Sequence, residues 1–278
     1  MAGTVSVLRA GLLTTVQDGG RWGWQARGVS VSGPMDPLAL RFANAVVGNP
    51  RGAAALELTL AGPSLRFSDA RHVALAGAEF ALSVNGQVLP SRQRVAVPAG
   101  GILDVGARTA GARGYLAVSG GFDVPVVLGS RSTHLPTQTG GWQGRALARG
   151  DQLPLGPVRT APALHPRIPP ARLPEHHVVR VLPGPDIGRF GPDVLRRLQA
   201  SAYVVDVQSD RMGFRLRGTA LPVEEAPGTD ASDVTALGLI QVPPSGDPIV
   251  LMADRQTTGG YPRLAVVIAA DIGVLGQA

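Results

Sequence analysis

One run of nine residues, Asp254-Arg255-Gln256-Thr257-Thr258-Gly259-Gly260-Tyr261-Pro262, gathers an acid, a guanidinium, an amide, two hydroxyls and a phenol around a glycine pair. Such groups can bind and polarise a small amide or carboxylate through hydrogen bonds, with no covalent bond to the protein. Gly259 and Gly260 let the backbone take positive φ or approach a ligand closely. The same composition also builds an ordinary hairpin loop, because Gly and hydroxyl residues mark turns. The loop is anchored by two apolar runs, Pro248–Met252 and Leu264–Ile268, which read as buried strands. Polar density on so firm a base favours a site.

Three further stretches carry chemistry-capable groups. Gly129-Ser130-Arg131-Ser132-Thr133 offers backbone donors, hydroxyls and a guanidinium, which suit either a carboxylate or phosphate ligand or a solvated turn. In Ser209-Asp210-Arg211-Met212-Gly213, an acid adjoins a guanidinium, either as a structural ion pair or as a catalytic one. Gln17-Asp18-Gly19-Gly20-Arg21-Trp22-Gly23-Trp24 is either a turn with surface indoles or a rim that stacks on a planar ligand.

Other chemistries are absent. The chain has no cysteine, which excludes disulfides, thiolate nucleophiles and Cys-ligated metals. It has no lysine either, since all 26 basic residues are Arg. Schiff-base chemistry, a P-loop lysine and an attachment point for biotin or lipoate are therefore missing, and any carried cofactor must ride on another chain. The five histidines, His72, His134, His165, His176 and His177, show no ligand spacing with acids, so no metal site is expected. There is no G-x-S-x-G, H-E-x-x-H, Walker loop or G-x-G-x-x-G.

At 278 residues, with 44% hydrophobic residues, the chain can bury a sizeable core. Its 37 glycines and 24 prolines, with few helical periods, point to many short strands. The net charge of +6 comes from scattered arginines rather than a basic run, so nucleic-acid binding is not expected. The first residues lack the order of a signal peptide and no apolar stretch reaches spanning length, so a soluble cytoplasmic protein without membrane contact is expected.

The elements that must position these groups follow in order. Thr4–Leu8 and Leu12–Val16 read as a strand pair around Ala10-Gly11. Asp36 is a natural N-cap for a helix over 38–49, with Pro37 at its first position and Gly48 for its end. Leu40, Ala43, Val46 and Val47 share its apolar face, and Asn44 beside them reads as a buried amide bonded to backbone. Ala55–Leu60 alternates around Glu57, and Asn85-Gly86 is a two-residue hairpin turn between Phe80–Val84 and Gln87–Leu89. Strands so short and so evenly spaced suggest a barrel or sandwich. Seven prolines between Pro154 and Pro174 mark a linker, giving a first domain over 1–153, a linker over 154–177 and a second domain over 178–278. The second half holds strands at Val178–Leu182, Tyr203–Val207 and Leu237–Val242, a short helix at Pro192–Gln199, and an acidic loop from Glu224 to Asp233.

Several motifs fall together in one order: Thr15–Arg21, Ser32-Gly33-Pro34-Met35-Asp36, Ala43-Asn44 with Val47-Gly48-Asn49, and Leu56-Glu57 with Thr59. Leu128–Thr133, Ser209–Gly213 and Gln256–Pro262 complete the set. Over essentially its whole length the chain resembles the biotin-dependent carboxyltransferase-like family, also labelled allophanate hydrolase subunit 2. That family includes the carboxyltransferase domain of urea carboxylase and the C subunit of the bacterial ATP-dependent 5-oxoprolinase.

The resemblance implies a mainly β chain of two cyclophilin-like β-barrel domains with a few short helices. It implies partnership with a B subunit related to allophanate hydrolase subunit 1, and with an A subunit, on a small amide or lactam substrate. The B and C subunits would activate 5-oxoproline with ATP, and the A subunit would complete ring opening to glutamate. The alternative is carboxyl transfer from biotin carried on another chain to urea or a similar amide. A third possibility is a regulatory protein that binds a kinase-inhibitor homologue of the B subunit. No biotin carboxylase or carrier segment is fused to the chain, which ranks 5-oxoprolinase first. Family members run on past this region with an Arg-Pro-Gly tail, whereas this chain stops at Ala278, implying a final strand that is truncated or supplied by a partner. By motif position, Arg131, Asp210 and Arg211 would be catalytic, the two arginines holding a carboxylate or phosphoryl oxygen. Ser132, Gln256, Thr257, Thr258, Gly259, Gly260 and Tyr261 would contact substrate, with Asn44 and Glu57 behind them.

Overall fold

The computed structural model describes residues 3–90, 92–158, 176–224 and 232–278. Most of the proline-rich linker (159–175, with His165) and most of the acidic loop (225–231) lie outside the described residues. The strands in chain order are β1 (Thr4–Arg9), β2 (Leu13–Gln17), β3 (Ala55–Thr59), β4 (Ser64–Phe67), β5 (Arg71–Val84), β6 (Gln87–Val88), β7 (Val95–Val97), β8 (Ile102–Val118) and β9 (Gln152–Pro154). They continue with β10 (Val181–Pro183), β11 (Val204–Val205), β12 (Gly213–Arg217), β13 (Asp233–Val234), β14 (Leu239–Gln241), β15 (Ile249–Leu251), β16 (Thr258–Gly259) and β17 (Arg263–Val267). The helices are α1 (Pro37–Val46), α2 (Val194–Ala200) and α3 (Ile272–Leu275). The chain is mainly β with a few short helices, as expected.

Backbone proximity divides it into two units. The first comprises Met1–Trp22, Ser32–His177 and Gly276–Ala278, and the second Gly23–Val31 and Val178–Leu275.

The first unit is built on one antiparallel sheet of order β2-β3-β8-β4-β1-β9, with β5 pairing β8, β6 and β7. β1 and β2 do not form the expected pair: β1 lies between β4 and β9, and β2 pairs β3. Register shifts along β5 and β8 between Gly77 and Leu82 bend the two longest strands, which curls the sheet. Alternation along β3, β5 and β8 sorts side chains by size. Leu56, Leu58, Val73, Leu75, Leu116 and Val118 fill the main core, while Ala55, Ala74, Ala76 and Ala117 face α1. Those small residues let α1 settle close, through Leu40, Ala43, Val46 and Val47. The cap of α1 is the expected one: Asp36 Oδ1 accepts from Ala39 N at 3.0 Å, and Pro37 opens the helix. The Asn85-Gly86 turn forms as expected, with φ of 50° and 80°.

The second unit is a six-stranded antiparallel sheet of order β10-β17-β14-β15-β12-β11, with a two-stranded ladder of β13 and β16. Here the ordinary-hairpin alternative fails. The Asp254–Pro262 stretch is not a hairpin loop, because β14 lies between β15 and β17 and pairs with both. The stretch must therefore cross over a strand end, and part of it becomes β16. Apolar runs and turn residues show that a reversal occurs but not which strand occupies the gap.

Candidate functional site

The residues singled out by sequence divide between the two units. Asn44, Glu57, Arg131 and Ser132 belong to the first; Asp210, Arg211 and Gln256–Tyr261 belong to the second.

In the first unit these residues are used by the fold. Asn44 is 0% exposed; its Nδ2 donates to Ala53 O at 2.8 Å, and its Oδ1 accepts from Asn49 Nδ2 at 3.0 Å. That is the backbone-bonded amide its position on α1 predicts. Glu57, 2% exposed, accepts from Tyr115 Oη at 2.6 Å and Met35 N at 3.0 Å. Asp36 N in turn donates to Tyr115 Oη at 2.8 Å, so the three residues fasten the entry to α1 onto the sheet. Burial is the main cause that pushes the Asp36 carboxyl above its ordinary range, and burial followed by the Glu57 charge does the same for the Tyr115 phenol. Glu57 acts as a latch between the entry to α1 and the sheet.

The 129–133 loop holds an anion, and the anion is the protein's own. Leu128 and Gly129, at φ of 51° and 82°, make a tight turn closed by the Val127–Ser130 bridge. Asp18 Oδ1 accepts from Ser130 Oγ and Ser132 Oγ, both at 2.6 Å, and from Gly20 N at 2.9 Å. Its Oδ2 accepts from Arg131 N at 2.6 Å. Nearby, Arg21 reaches the Val127 and Ser132 carbonyls at 2.9 and 2.8 Å. The Arg131 guanidinium turns the other way, to Asp123 Oδ1 at 2.6 Å and Val124 O at 2.8 Å. Arg131 and Ser132 thus help hold this loop, and the anion bonded there is Asp18.

The second unit presents an open, ligand-sized space. A cavity of about 210 Å3 is lined by Gln208, Asp210, Met212, Gly213, Arg215, Gln241, Ile249, Leu251, Gln256 and Tyr261. Asp210, Gln256 and Tyr261 are three of the residues named from sequence. Gln241, only 2% exposed, was missed because a lone glutamine at the end of an apolar strand gives no motif. Gly259 explains how the two amides meet: a Cβ there would lie 2.9 Å from Gln241 Nε2 and 3.3 Å from Gln256 Nε2. A larger groove of about 450 Å3 in the first unit, lined by Asn85, Gln87, Gln93 and Arg94 among others, includes none of the motif residues.

The loop that bears Gln256 is pinned on both sides. Arg211 pairs not with its neighbour Asp210 but with Asp254, Nε to Oδ2 at 2.9 Å and Nη2 to Oδ1 at 3.1 Å, both residues buried. Asp210 instead accepts from the Met212 and Gly213 amides at 2.7 and 3.2 Å, an Asx turn that aims the following chain. Thr235 Oγ1 donates to Gln256 O, and Thr235 N to Thr257 O at 3.0 Å. Beyond Tyr261, Arg263 bonds Asp186 and Asp233; its hydrogen bond holds the Asp186 carboxyl below its ordinary range, and the Val234 amide followed by Arg263 does the same for Asp233. Thr258 and Gly259 pair with Val234 and Asp233, so their backbone is partly engaged in a ladder. What remains is a rigid rim carrying two amides, an exposed carboxylate and a phenol. It is suited to hydrogen-bonding a small neutral amide.

A curled, mainly β chain with a polar, amide-lined cavity in its second unit defines the class. Residues 27–278 match the carboxyltransferase domain, subdomain A and B, and the chain belongs to that family. It is 40% identical over 276 residues to the C subunit of 5-oxoprolinase from Escherichia coli, covering 98% of this chain and 87% of that one. It is 36% identical to the Lachancea kluyveri urea amidolyase, covering 98% of this chain and 16% of the larger protein. The crystal structure of the Kluyveromyces lactis urea carboxylase superposes with a TM-score of 0.90 at 33% identity, over 99% of this chain and 26% of that one.

Proposed function

We propose that this chain is the C subunit of an ATP-dependent 5-oxoprolinase of the bacterial type, acting with a B subunit to activate 5-oxoproline for ring opening to glutamate. The observation that carries this reading is the 40% identity over 98% of this chain and 87% of the Escherichia coli relative. The cavity is consistent with it, since the amides of Gln241 and Gln256 can donate to a lactam carbonyl and accept from a lactam N–H. Tyr261 and Asp210 form the rim, Gln241 Nε2 donates to Tyr261 O at 3.4 Å, and Gly259 leaves room for both amides. Asp210 is the carboxylate lining the cavity, while Arg211 acts through Asp254 as a positioning residue. ATP is bound in the assembled complex, and the A subunit then finishes the reaction in a cytoplasmic setting.

The second reading, carboxyl transfer to urea or a similar amide, is favoured by the likeness to urea amidolyase and urea carboxylase. Biotin would then be carried by another chain, because this one has no lysine. Replacing Gln241 or Gln256 by Ala in the assembled complex is expected to raise KM for 5-oxoproline roughly 3- to 10-fold, the worth of one neutral hydrogen bond. A complex that carboxylates urea and leaves 5-oxoproline untouched would move the chain to the second reading.

A further inference from the structure

Five arginines among the described residues are buried: Arg21, Arg71, Arg113, Arg211 and Arg255. Four have clear acceptors. Arg21 bonds the Val127 and Ser132 carbonyls, Arg71 bonds Asp69 and two carbonyls, Arg113 bonds Gly276 O, and Arg211 bonds Asp254. Arg255 is different. It is 9% exposed, its Nε is buried without a hydrogen-bond partner, and no described carboxylate or carbonyl accepts from its guanidinium. Burial alone lowers its affinity for the proton, with no neighbouring charge to restore it.

A buried cation without a counter-charge is strongly unfavourable and is retained where something else compensates it. The backbone of Arg255 is fixed: its N donates to Met252 O at 3.1 Å, and its O accepts from Ser30 Oγ at 2.7 Å. It directly follows Asp254, locked to Arg211, and directly precedes Gln256, which lines the cavity. A guanidinium without a described counter-charge, on a fixed backbone and next in the chain to Gln256, has the chemistry to receive an anion. Arg211, the other buried guanidinium of this unit, already faces Asp254, which leaves the single positive charge of Arg255 without a counter-charge among the described residues. One carboxylate, taking two parallel N–H bonds, matches that charge; a phosphoryl group carrying two or more does not.

We propose that Arg255 is the carboxylate-recognising residue of the second unit, pairing with the carboxylate that a lactam acid such as 5-oxoproline bears beside its ring. The inference deepens the functional reading above and takes the anion-holding role that sequence position assigned to Arg131 and Arg211.

The test is 15N NMR of the arginine Nε–H groups in the full chain, with Arg255 assigned through the Arg255→Lys variant. The probes are 5-oxoprolinate, acetate, pyrrolidin-2-one (the same lactam without the carboxylate) and inorganic phosphate. Saturable shifts of the Arg255 signal with 5-oxoprolinate and acetate, and none with pyrrolidin-2-one, are expected. A response to phosphate alone, or to no anion, overturns the proposal. In the assembled complex, Arg255→Gln is expected to raise KM for 5-oxoproline roughly 10- to 100-fold with a smaller effect on kcat, and Arg255→Lys to restore part of the loss. Unchanged KM in both variants also overturns it. If the wild-type complex does not consume 5-oxoproline while the Arg255 signal still answers both carboxylates, the carboxylate site stands and the functional reading falls.

Discussion

Arg211 and Asp254 form a two-pronged ion pair at 2.9 and 3.1 Å, and Asp254 N also donates to Arg211 O at 2.8 Å. The pair ties the Asx turn at Asp210 to the start of the loop that presents Gln256. Both partners are buried, so removing one leaves the other as an uncompensated charge. Asp254→Asn is expected to destabilise the second unit by about 3–5 kcal/mol, measured by urea denaturation. Replacing the two together by Met and Leu is expected to cost much less than the sum of the single changes, because no charge is then stranded.

Gly259 is held at the meeting point of two amides. Gly259→Ala would bring a methyl group to 2.9 Å from Gln241 Nε2, closer than such contacts allow. The flexible amides must yield, so the fold is expected to lose less than about 1 kcal/mol while KM for substrate rises several-fold. Thermal melting and steady-state kinetics on the same sample separate the two effects.

Asp18 organises the 129–133 loop, and Arg131 only borders it. Asp18→Ala removes acceptors for Ser130, Ser132, Gly20 and Arg131 N, with an expected loss of about 3 kcal/mol. Arg131→Ala breaks a partly exposed pair with Asp123 and is expected to change stability by at most about 1 kcal/mol, with turnover altered less than about 3-fold. A large turnover loss in Arg131→Ala at unchanged stability would return that residue to the site.

Acid stability has an identifiable component. Hydrogen bonds from Arg145, at 2.8 and 2.7 Å, hold the Asp151 carboxyl down to about 2 from the ordinary 3.8. The folded value is the lower one, so the stabilisation is complete above pH 3.8 and is lost as pH falls through about 2. Because Arg145 is partly exposed, its size is about 1 kcal/mol. Asp151→Asn is expected to be less stable at neutral pH and to show a flatter stability profile over that acid interval.

The local devices were legible in the residues. Asp36 with Pro37 announced α1, Asn85-Gly86 announced its turn, and the alanines and valines of α1 announced its buried face. Each is a short-range rule in which the residue itself carries the constraint. Pairing was less legible: β14 entering between β15 and β17, and β1 parting from β2, depend on which distant strand best fills an edge. The site divided in the same way. The Asp254–Pro262 loop announced itself by polar density, yet Gln241 gave no signal because its role comes from lying beside Gly259, which is distant in the chain. Arg131, Glu57 and Asn44 looked like ligand groups because internal and external hydrogen-bond partners call for the same residue types. Only their partners, Asp123, Tyr115 and Ala53 among them, tell the two uses apart.

The most direct test of the functional account is ATP-dependent consumption of 5-oxoproline by this chain co-expressed with A and B subunits, measured against the same preparation lacking it. The expected result is turnover to glutamate that requires this chain and is lost again when Gln241 and Gln256 are both replaced by Ala. Full turnover without the chain, or none from a correctly assembled complex, would contradict the assignment.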